Sequence, residues 1–389
     1  MKGSSSRRNF LAAGLALPAA ASAARSTEQT APQTPARRLD GVPNFQYKTL
    51  GKTGLKVTTL GFGCMITSDG SVIERAADLG ITYFDTARSY SGGNNERMVG
   101  TALKRKRKDI TLSTKTEGRT REEALAQMDT SLKELGVDNV DIWYLHAKGA
   151  PDQVTDELMD ALLTAKKAGK TRFVGVSTHQ GQKELLPWLA KNPNIDVILT
   201  AYNFTMDPFM NDVIAQAEAA GKGIVAMKVM AGGIRRIRPT DPNYPRLTRE
   251  GALPAALKWV LRNPHVHTTV PSMTDTDQLE DNLRAMSHPF NDADQKLLAA
   301  HLEQIRPLYC RMCGECDGTC SQGLPVADVL RCLTYADGYG QFQLGRERYL
   351  QLAPEHVSAK CSDCTGCTVQ CPHGVKVAQR MSRAQELFA

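Results

Sequence analysis

The chain has 389 residues, of which 41% are hydrophobic and 23% are charged. This composition is that of a globular protein and excludes a fibre or a disordered scaffold. The formal net charge of +7 is spread along the chain rather than clustered, which argues against a nucleic-acid-binding protein. At roughly 150 residues per domain, the length allows one large domain and a smaller one.

The first residues have the features of a targeting segment. The pair Arg7-Arg8 is followed by an apolar stretch, residues 10–21, and by the small residues Ala21-Ser22-Ala23. This order resembles a twin-arginine (Tat) export signal with its cleavage site. No segment has the roughly 18 uninterrupted apolar residues that a membrane span requires. We therefore expect a signal peptide over residues 1–23, a polar tether over residues 24–44, and a periplasmic protein exported by the Tat machinery.

The alternative is a cytoplasmic protein with an accidental arginine pair. It is disfavoured because the arginine pair, the apolar stretch and the small residues occur in the order that an export signal requires.

From residue 45 onward, strand-like runs alternate with helical patterns. A hairpin is predicted around residues 47–56, and apolar residues recur at helical spacing in Glu122–Leu135, Asp156–Ala168 and Gly251–Arg262. The eight predicted strands are short apolar or β-branched runs: Val57–Gly63, Ile81–Asp85, Ile110–Lys115, Val140–His146, Phe173–Thr178, Val197–Asn203, Gly223–Val229 and Thr268–Met273. Eight strand–helix pairs over about 250 residues predict an α/β fold, a (β/α)8 TIM barrel spanning residues 45–300.

A doubly wound open sheet is the alternative fold. It would require a G-x-G-x-x-G turn after an early strand, and the segment Gly61-Phe62-Gly63 lacks the third glycine of that motif.

Polar side chains follow three consecutive predicted strands. Asp85 ends the second strand, Lys115 the third and His146 the fourth, and Tyr90 lies five residues beyond Asp85. The carboxyl ends of barrel strands form the face where active sites are found, so we expect these four side chains to meet there. Each has an ordinary interpretation alone, as a cap, a surface charge or a packing residue. Four at matching positions favour a catalytic site.

Three segments resemble the catalytic tetrad segments of the aldo-keto reductase family: Asp85–Tyr90, Ser113–Lys115 and Trp143–His146. The resemblance extends over about residues 45–300 and implies a nicotinamide-dependent oxidoreductase acting on a small carbonyl or alcohol, including sugar-like compounds. Tyr90 would donate the proton and His146 would orient the carbonyl. Lys115, held by Asp85, would lower the pKa of Tyr90.

The same resemblance implies a binding site for NADP or NAD. The implied cofactor-binding residues are Ser177, Asn203, Met227, Lys228, Ser272, Gln278, Asp281 and Asn282. Met227-Lys228 also resembles the branch of the family that carries iron–sulfur domains. Because neutral Ser272 and Gln278 stand where the family grips the 2′-phosphate of NADP with basic residues, we expect a weak or reversed preference for NADP.

Nine of the ten cysteines fall after His301, and eight of these form two motifs with matching spacing. They are Cys310, Cys313, Cys316, Cys320, Cys361, Cys364, Cys367 and Cys371. This is the bacterial ferredoxin spacing, in which three close thiolates and a distant one hold each 4Fe-4S cluster. The crossed pairing would join Cys371 to the first three cysteines and Cys320 to the second three. Structural zinc and disulfides are the alternatives, although zinc favours separate C-x2-C pairs and disulfides between residues three apart are sterically awkward.

Residues 301–389 are therefore predicted to form a helical ferredoxin-type domain with two 4Fe-4S clusters. Helical patterns cover residues 326–335 and 344–352 between the two motifs. The remaining cysteines, Cys64 and Cys332, are expected to be buried apolar residues rather than ligands.

Two functions remain open from the sequence. The first is an exported oxidoreductase that uses the four strand-end residues, with clusters that relay electrons to a redox partner or brace the fold. The second is an electron-transfer protein in which the barrel is a docking module. Retention of a nicotinamide nucleotide separates them, because only the first requires it. Neither requires a nucleic-acid partner.

Overall fold

The computed structural model describes residues 45–232 and 251–388, which lie within one compact unit. The signal peptide over residues 1–23 and the tether over residues 24–44 lie outside the described residues and stay predictions. The domain boundary at residue 300 also stays a prediction.

A two-stranded hairpin covers one end of the barrel. Strand β1 (Tyr47–Thr49) pairs antiparallel with β2 (Lys56–Thr58). Leu50, in the connection, packs so tightly on Gly223 that a Cβ added there would lie 2.6 Å from Leu50 Cγ. The strand predicted over residues 57–63 is thus wrong at its start, because residues 57 and 58 pair within the hairpin instead of the barrel.

Eight parallel strands form the barrel, hydrogen-bonded in chain order. They are β3 (Phe62–Gly63), β4 (Tyr83–Asp85), β5 (Thr111–Thr116), β6 (Val140–Leu145), β7 (Thr171–Thr178), β8 (Val197–Ala201), β9 (Gly223–Met227) and β10 (Thr268–Thr269). Parallel bridges from Leu60 to Thr269 and from Gly63 to Ser272 join the first strand to the last. This closure depends on glycine, since a Cβ at Gly63 would lie 2.5 Å from the carbonyl oxygen of Val270. The predicted (β/α)8 barrel is confirmed.

Helices follow the strands and pack around the barrel. They are α1 (Gly70–Asp78), α2 (Asn94–Leu103), α3 (Arg121–Leu135), α4 (Asp156–Lys167), α5 (Gln182–Lys191), α6 (Phe209–Ala219), α7 (Ala252–Leu261), α8 (Thr276–Ala285) and α9 (Asp292–Ile305). Capping side chains determine where several begin: Asp69, Thr120 and Thr155 each accept a hydrogen bond from a backbone N–H of the first turn. The three predicted helices correspond to α3, α4 and α7 and are confirmed.

Residues 310–388, here called the cysteine-rich segment, form short helices with their own apolar core. The helices are α10 (Val326–Leu333), α11 (Phe342–Leu350), α12 (Pro354–Ser358) and α13 (Val377–Phe388), and a π-helical turn, Thr334–Gly338, follows α10. The core includes Leu333, Tyr349 and Phe388. The helices predicted over residues 326–335 and 344–352 are present as α10 and α11. Among the described residues, no helix has the length and apolar character needed to cross a membrane.

Candidate active site

Three neighbouring strands position the four predicted catalytic residues. Asp85 is the last residue of β4, Lys115 lies near the end of β5, and His146 directly follows β6. Tyr90 begins a short 3-10 turn after β4. Since β4, β5 and β6 are parallel neighbours, their carboxyl ends meet at the barrel mouth, opposite the hairpin. The structure brings all four side chains together there.

The ammonium group of Lys115 is the centre of this arrangement. Its side chain is 1% exposed, and its Nζ donates to Asp85 Oδ2 at 2.5 Å, to the carbonyl oxygen of Thr86 at 2.7 Å and to Tyr90 Oη at 3.2 Å. The other oxygen of Asp85 accepts from Ser113 Oγ at 2.7 Å. An ammonium has three donors, and all three are used, so Nζ is fixed against the tyrosine hydroxyl.

The protonation of Tyr90 differs from the sequence-based expectation. Burial raises the pKa of Tyr90 well above its ordinary value, and the Asp85 carboxylate adds to this effect. The expected lowering of this pKa is therefore wrong, because burial and the Asp85 carboxylate raise the pKa more than nearby cations lower it. Tyr90 keeps its proton at neutral pH, as a proton donor must.

His146 packs edge-on against Tyr90, with ring centroids 5.8 Å apart and planes inclined at 76°. Its Nδ1 lies 3.0 Å from Glu117 Oε1. Burial lowers the pKa of His146, against the opposing effect of Glu117. Although burial opposes ionisation of Glu117, the His146 ring beside it and the two hydrogen bonds from Arg348 hold the pKa of this carboxyl below its usual range. The pair at neutral pH is a neutral imidazole beside a carboxylate.

Three residues of this network were not predicted. Arg348, on α11, donates to both oxygens of Glu117, at 3.0 and 3.3 Å, and to Ser89 Oγ at 2.9 Å. Ser89 in turn donates to Glu117 at 2.7 Å. Glu117 has a signal in the sequence, since it is a carboxylate two residues beyond Lys115. Arg348 has none, because it is 231 positions away from Glu117 in the chain.

A cavity of about 270 Å³ opens beside Tyr90 and Asp85. Four of the eight predicted cofactor residues line it: Met227, Lys228, Ser272 and Gln278. Gln278 lies in the first turn of α8, where its backbone N–H donates to the capping side chain of Asp275 at 2.9 Å. The cavity therefore runs from the strand-end residues to the start of α8.

The other four predicted cofactor residues do not line this cavity. Ser177 Oγ accepts from the backbone N–H of residue 147 at 2.9 Å, Asn203 donates to the carbonyl oxygen of Lys228 at 3.0 Å, and Asp281 pairs with Arg284. Asn282 is fully buried, and its amide has no hydrogen-bond partner among the described residues. It lies one turn beyond Gln278 on the same face of α8. A buried amide without a partner fits a site that a bound base completes.

Lys228 connects the cavity to the cysteine-rich segment. Its Nζ lies 4.9 Å from the ring centroid of Tyr335 and 5.1 Å from that of Tyr339, a cation–π arrangement. Burial, together with the nearby cations Arg331 and Lys115, lowers the pKa of Lys228 to about 7. Tyr339 itself lines the cavity. The cysteine-rich segment thus supplies part of the cavity wall.

The eight motif cysteines lie in two groups, each drawing on both motifs. Cys310, Cys313 and Cys316 line a small cavity together with Cys371. The thiol neighbours of Cys361 are those of Cys364, Cys367 and Cys320. None of the described cysteines forms a disulfide. This is the grouping that the crossed pairing requires. Cys64 and Cys332 are buried, at 0% and 1% exposure, as expected.

Fold and site together define a (β/α)8-barrel oxidoreductase with a tyrosine–lysine–aspartate group at its mouth. A model of the aldo/keto reductase family matches residues 68–253 and 249–303. The chain belongs to the aldo/keto reductase family, whose members are typically NAD(P)-dependent. The match ends at residue 303, before the cysteine-rich segment.

Relatives in this family resemble the barrel. The chain is similar to L-galactose dehydrogenase of Arabidopsis thaliana, 28% identical over 284 residues, covering 62% of this chain and 88% of the relative. It is similar to L-glyceraldehyde 3-phosphate reductase of Escherichia coli K12, 26% identical over 312 residues, covering 63% and 88%. Among solved structures, the holo form of an aldo-keto reductase from Bacillus halodurans has a TM-score of 0.57 and 26% identity, covering 66% of this chain and 95% of that chain.

Proposed function

We propose that the protein is an exported oxidoreductase that interconverts a small hydroxylated carbonyl compound and its alcohol, and that its cysteine-rich segment holds two 4Fe-4S clusters. The observation that carries the proposal is the contact of Lys115 with both Asp85 and Tyr90 beside the cavity. A proton donor fixed next to a binding cavity is what reduction of a carbonyl requires, because negative charge develops on its oxygen.

The residues at the barrel mouth would have different catalytic roles. Tyr90, kept protonated by burial, donates its proton to the substrate oxygen. Lys115, fixed by Asp85, stabilises the phenolate that this leaves. Neutral His146 accepts a hydrogen bond from the alcohol, and protonated His146 donates one to the carbonyl oxygen. NADP or NAD, when bound, supplies or takes up the hydride.

Residues of this chain fit a nicotinamide dinucleotide. Met227, Lys228, Ser272 and Gln278 line the cavity beside Tyr90, and the unpartnered amide of Asn282 lies one helical turn further along α8. We propose that the first group holds the nicotinamide and phosphate end of the nucleotide and that Asn282 hydrogen-bonds its adenine.

The cysteine groups support the clusters. Each group offers four thiols from both motifs, the donor set of a 4Fe-4S cluster, and no described cysteine is consumed by a disulfide. Such clusters pass electrons one at a time, so they would either relay electrons to a redox partner or brace the segment.

A hydroxylated, sugar-like substrate is proposed from the cavity lining. The carboxylate of Asp85 and the hydroxyl of Tyr90 offer hydrogen bonds, and the ring of Tyr339 offers a flat apolar face. The similarity to L-galactose dehydrogenase points the same way.

Export through the Tat machinery is proposed from Arg7-Arg8 and the stretch that follows. Replacing both arginines with lysine should leave folded, cluster-bearing protein in the cytoplasm, as measured by fractionation and iron content. Unchanged export would contradict the proposed location without affecting the proposed reaction.

Nucleotide retention tests the oxidoreductase directly. Purified protein, denatured and analysed by chromatography, should release NADP or NAD, or should bind one of them with micromolar affinity when titrated. Absence of both release and binding would favour the electron-transfer alternative, in which the barrel is a docking module.

A further inference from the structure

Glu117 links the barrel mouth to the cysteine-rich segment. It lies just beyond β5, and its Oε1 is 3.0 Å from His146 Nδ1, 2.7 Å from Ser89 Oγ and 3.0 Å from Arg348 Nη2. Its Oε2 accepts from Arg348 Nη1 at 3.3 Å. One carboxylate therefore holds a ring of the proposed active site on one side and an arginine of α11 on the other.

Arg348 is well fixed for this contact. It engages both oxygens of Glu117, the bidentate geometry in which arginine–carboxylate pairs are strongest and most directional. It also donates to Ser89 at 2.9 Å and to Gln351 at 3.1 Å, and its side chain is only 22% exposed. Arg346, on the same helix, is exposed and forms no side-chain hydrogen bond or ion pair within the described part of the chain. It is a matched control.

We propose that Glu117 and Arg348 are positioning residues that fix the tautomer and the proton affinity of His146, so that the cysteine-rich segment completes the active site. This inference rests on the proposed function. The Glu117 carboxylate, 3.0 Å from Nδ1, would draw the ring proton to that nitrogen, and the neutral imidazole would then have its lone pair on Nε2. Neutral His146 then accepts a hydrogen bond from a substrate hydroxyl, and protonated His146 donates one to a carbonyl oxygen. An adjacent carboxylate stabilises the protonated ring.

The charges around His146 come from several elements. Lys115 on β5, Glu117 beyond it and Arg348 on α11 face the ring, and Tyr90 and His179 are its titratable neighbours. Burial lowers the pKa of His146 most, Glu117 raises it, and Lys115 and Arg348 lower it. The two positioning residues therefore act in opposite directions. Loss of Arg348 must raise this pKa, and loss of the charge on Glu117 must lower it.

The pH dependence of kcat/KM tests this in the holoenzyme. The part of the pH profile that reflects titration of His146 should move to higher pH in Arg348→Ala and to lower pH in Glu117→Gln. In each variant kcat should fall about tenfold, because the His146 ring is no longer held in place. Nucleotide affinity should stay unchanged. Arg348→Lys should recover part of the activity, since it keeps the charge but loses the bidentate contact. Arg346→Ala should match the wild type.

The inference would be overturned if the variants lose activity without a shift of the pH profile, or if Arg348→Ala and Glu117→Gln shift the pH profile in the same direction. A titration of the histidine ring nitrogens by 15N NMR gives an independent reading, with the His146 signal assigned by its absence in His146→Asn. The neutral ring should carry its proton on Nδ1, and a proton on Nε2 would overturn the inference. If the wild type turns over no carbonyl or alcohol while His146 titrates as described, the proposed function fails and the positioning role stands.

Discussion

The barrel and the cysteine-rich segment are stabilised in different ways. Every residue of β6 and β8 is buried, and bridges between the first and last strands close the barrel. The cysteine-rich segment has short helices and a small core, and its motif cysteines are half-buried or, at Cys367, exposed. Buried side chains and strand pairing stabilise the barrel. The cysteine-rich segment presents thiols that are neither buried nor bonded, so we expect its stability to depend on what they bind.

Loss of iron should have the largest effect, because it should destabilise the cysteine-rich segment and leave the barrel folded. Anaerobically purified protein should contain about eight iron and eight acid-labile sulfide per chain. Cys313→Ala should lower the iron content and unfold the cysteine-rich segment, whereas Cys332→Ala, a buried core residue at 1% exposure, should leave the iron content unchanged. Iron and sulfide analysis with limited proteolysis measures both. Stoichiometric zinc without sulfide would contradict the prediction.

Removing one hydroxyl at the barrel mouth should abolish most turnover. Tyr90→Phe should reduce kcat by about 100-fold or more, because the hydroxyl acts only as charge develops on the substrate oxygen, and nucleotide binding should stay intact. The matched control is Tyr144→Phe, which removes a buried hydroxyl that lies 2.8 Å from Tyr83 Oη. That change should lower stability by about 1 kcal/mol and leave turnover near the wild-type value.

Lower pH should reduce the free energy of unfolding through two histidines that lie between the barrel and the cysteine-rich segment. Burial lowers the pKa of His146 and His179, and His179 shares a small cavity with residues of both regions. Below the unfolded-state pKa of about 6.5, the unfolded chain binds protons that these folded rings do not, so the free energy of unfolding falls as the pH falls. The slope is at most about 1.4 kcal/mol per pH unit for each ring.

Urea unfolding between pH 7.5 and pH 5 measures this dependence. His179→Gln should flatten it, whereas replacing His288, an exposed histidine just beyond α8, with glutamine should not. A dependence that is identical in all three proteins would exclude His179 as a source.

The smallest expected effect is nucleotide preference. Ser272 and Gln278 are neutral, and Lys228, whose pKa burial lowers to about 7, is the one lysine or arginine among the described residues that line the cavity. We expect less than about tenfold preference for NADP over NAD, since a charge-assisted contact to the 2′-phosphate is missing. Gln278→Arg should increase affinity for NADP. Titration of both nucleotides decides, and a preference of about 100-fold or more in the wild type would reveal another cation.

The sequence predicted the site residues of the barrel better than those of the cysteine-rich segment. Asp85, Lys115 and His146 were identifiable because they end strands whose pattern is local. Arg348 and Tyr339 were not, because only tertiary packing brings the cysteine-rich segment to the mouth. The raised pKa of Tyr90 was missed for the same reason, since burial is a property of the folded chain.

Isotope transfer tests most directly whether the barrel mouth carries out hydride transfer. A small hydroxylated aldehyde is reduced with a nicotinamide deuterated at C4, and the alcohol is analysed by mass spectrometry. The wild type should place deuterium on the former carbonyl carbon, and Tyr90→Phe should do so about 100-fold more slowly or not at all. Hydrogen from solvent at that carbon, or label transfer by Tyr90→Phe at the wild-type rate, would contradict the proposed reaction.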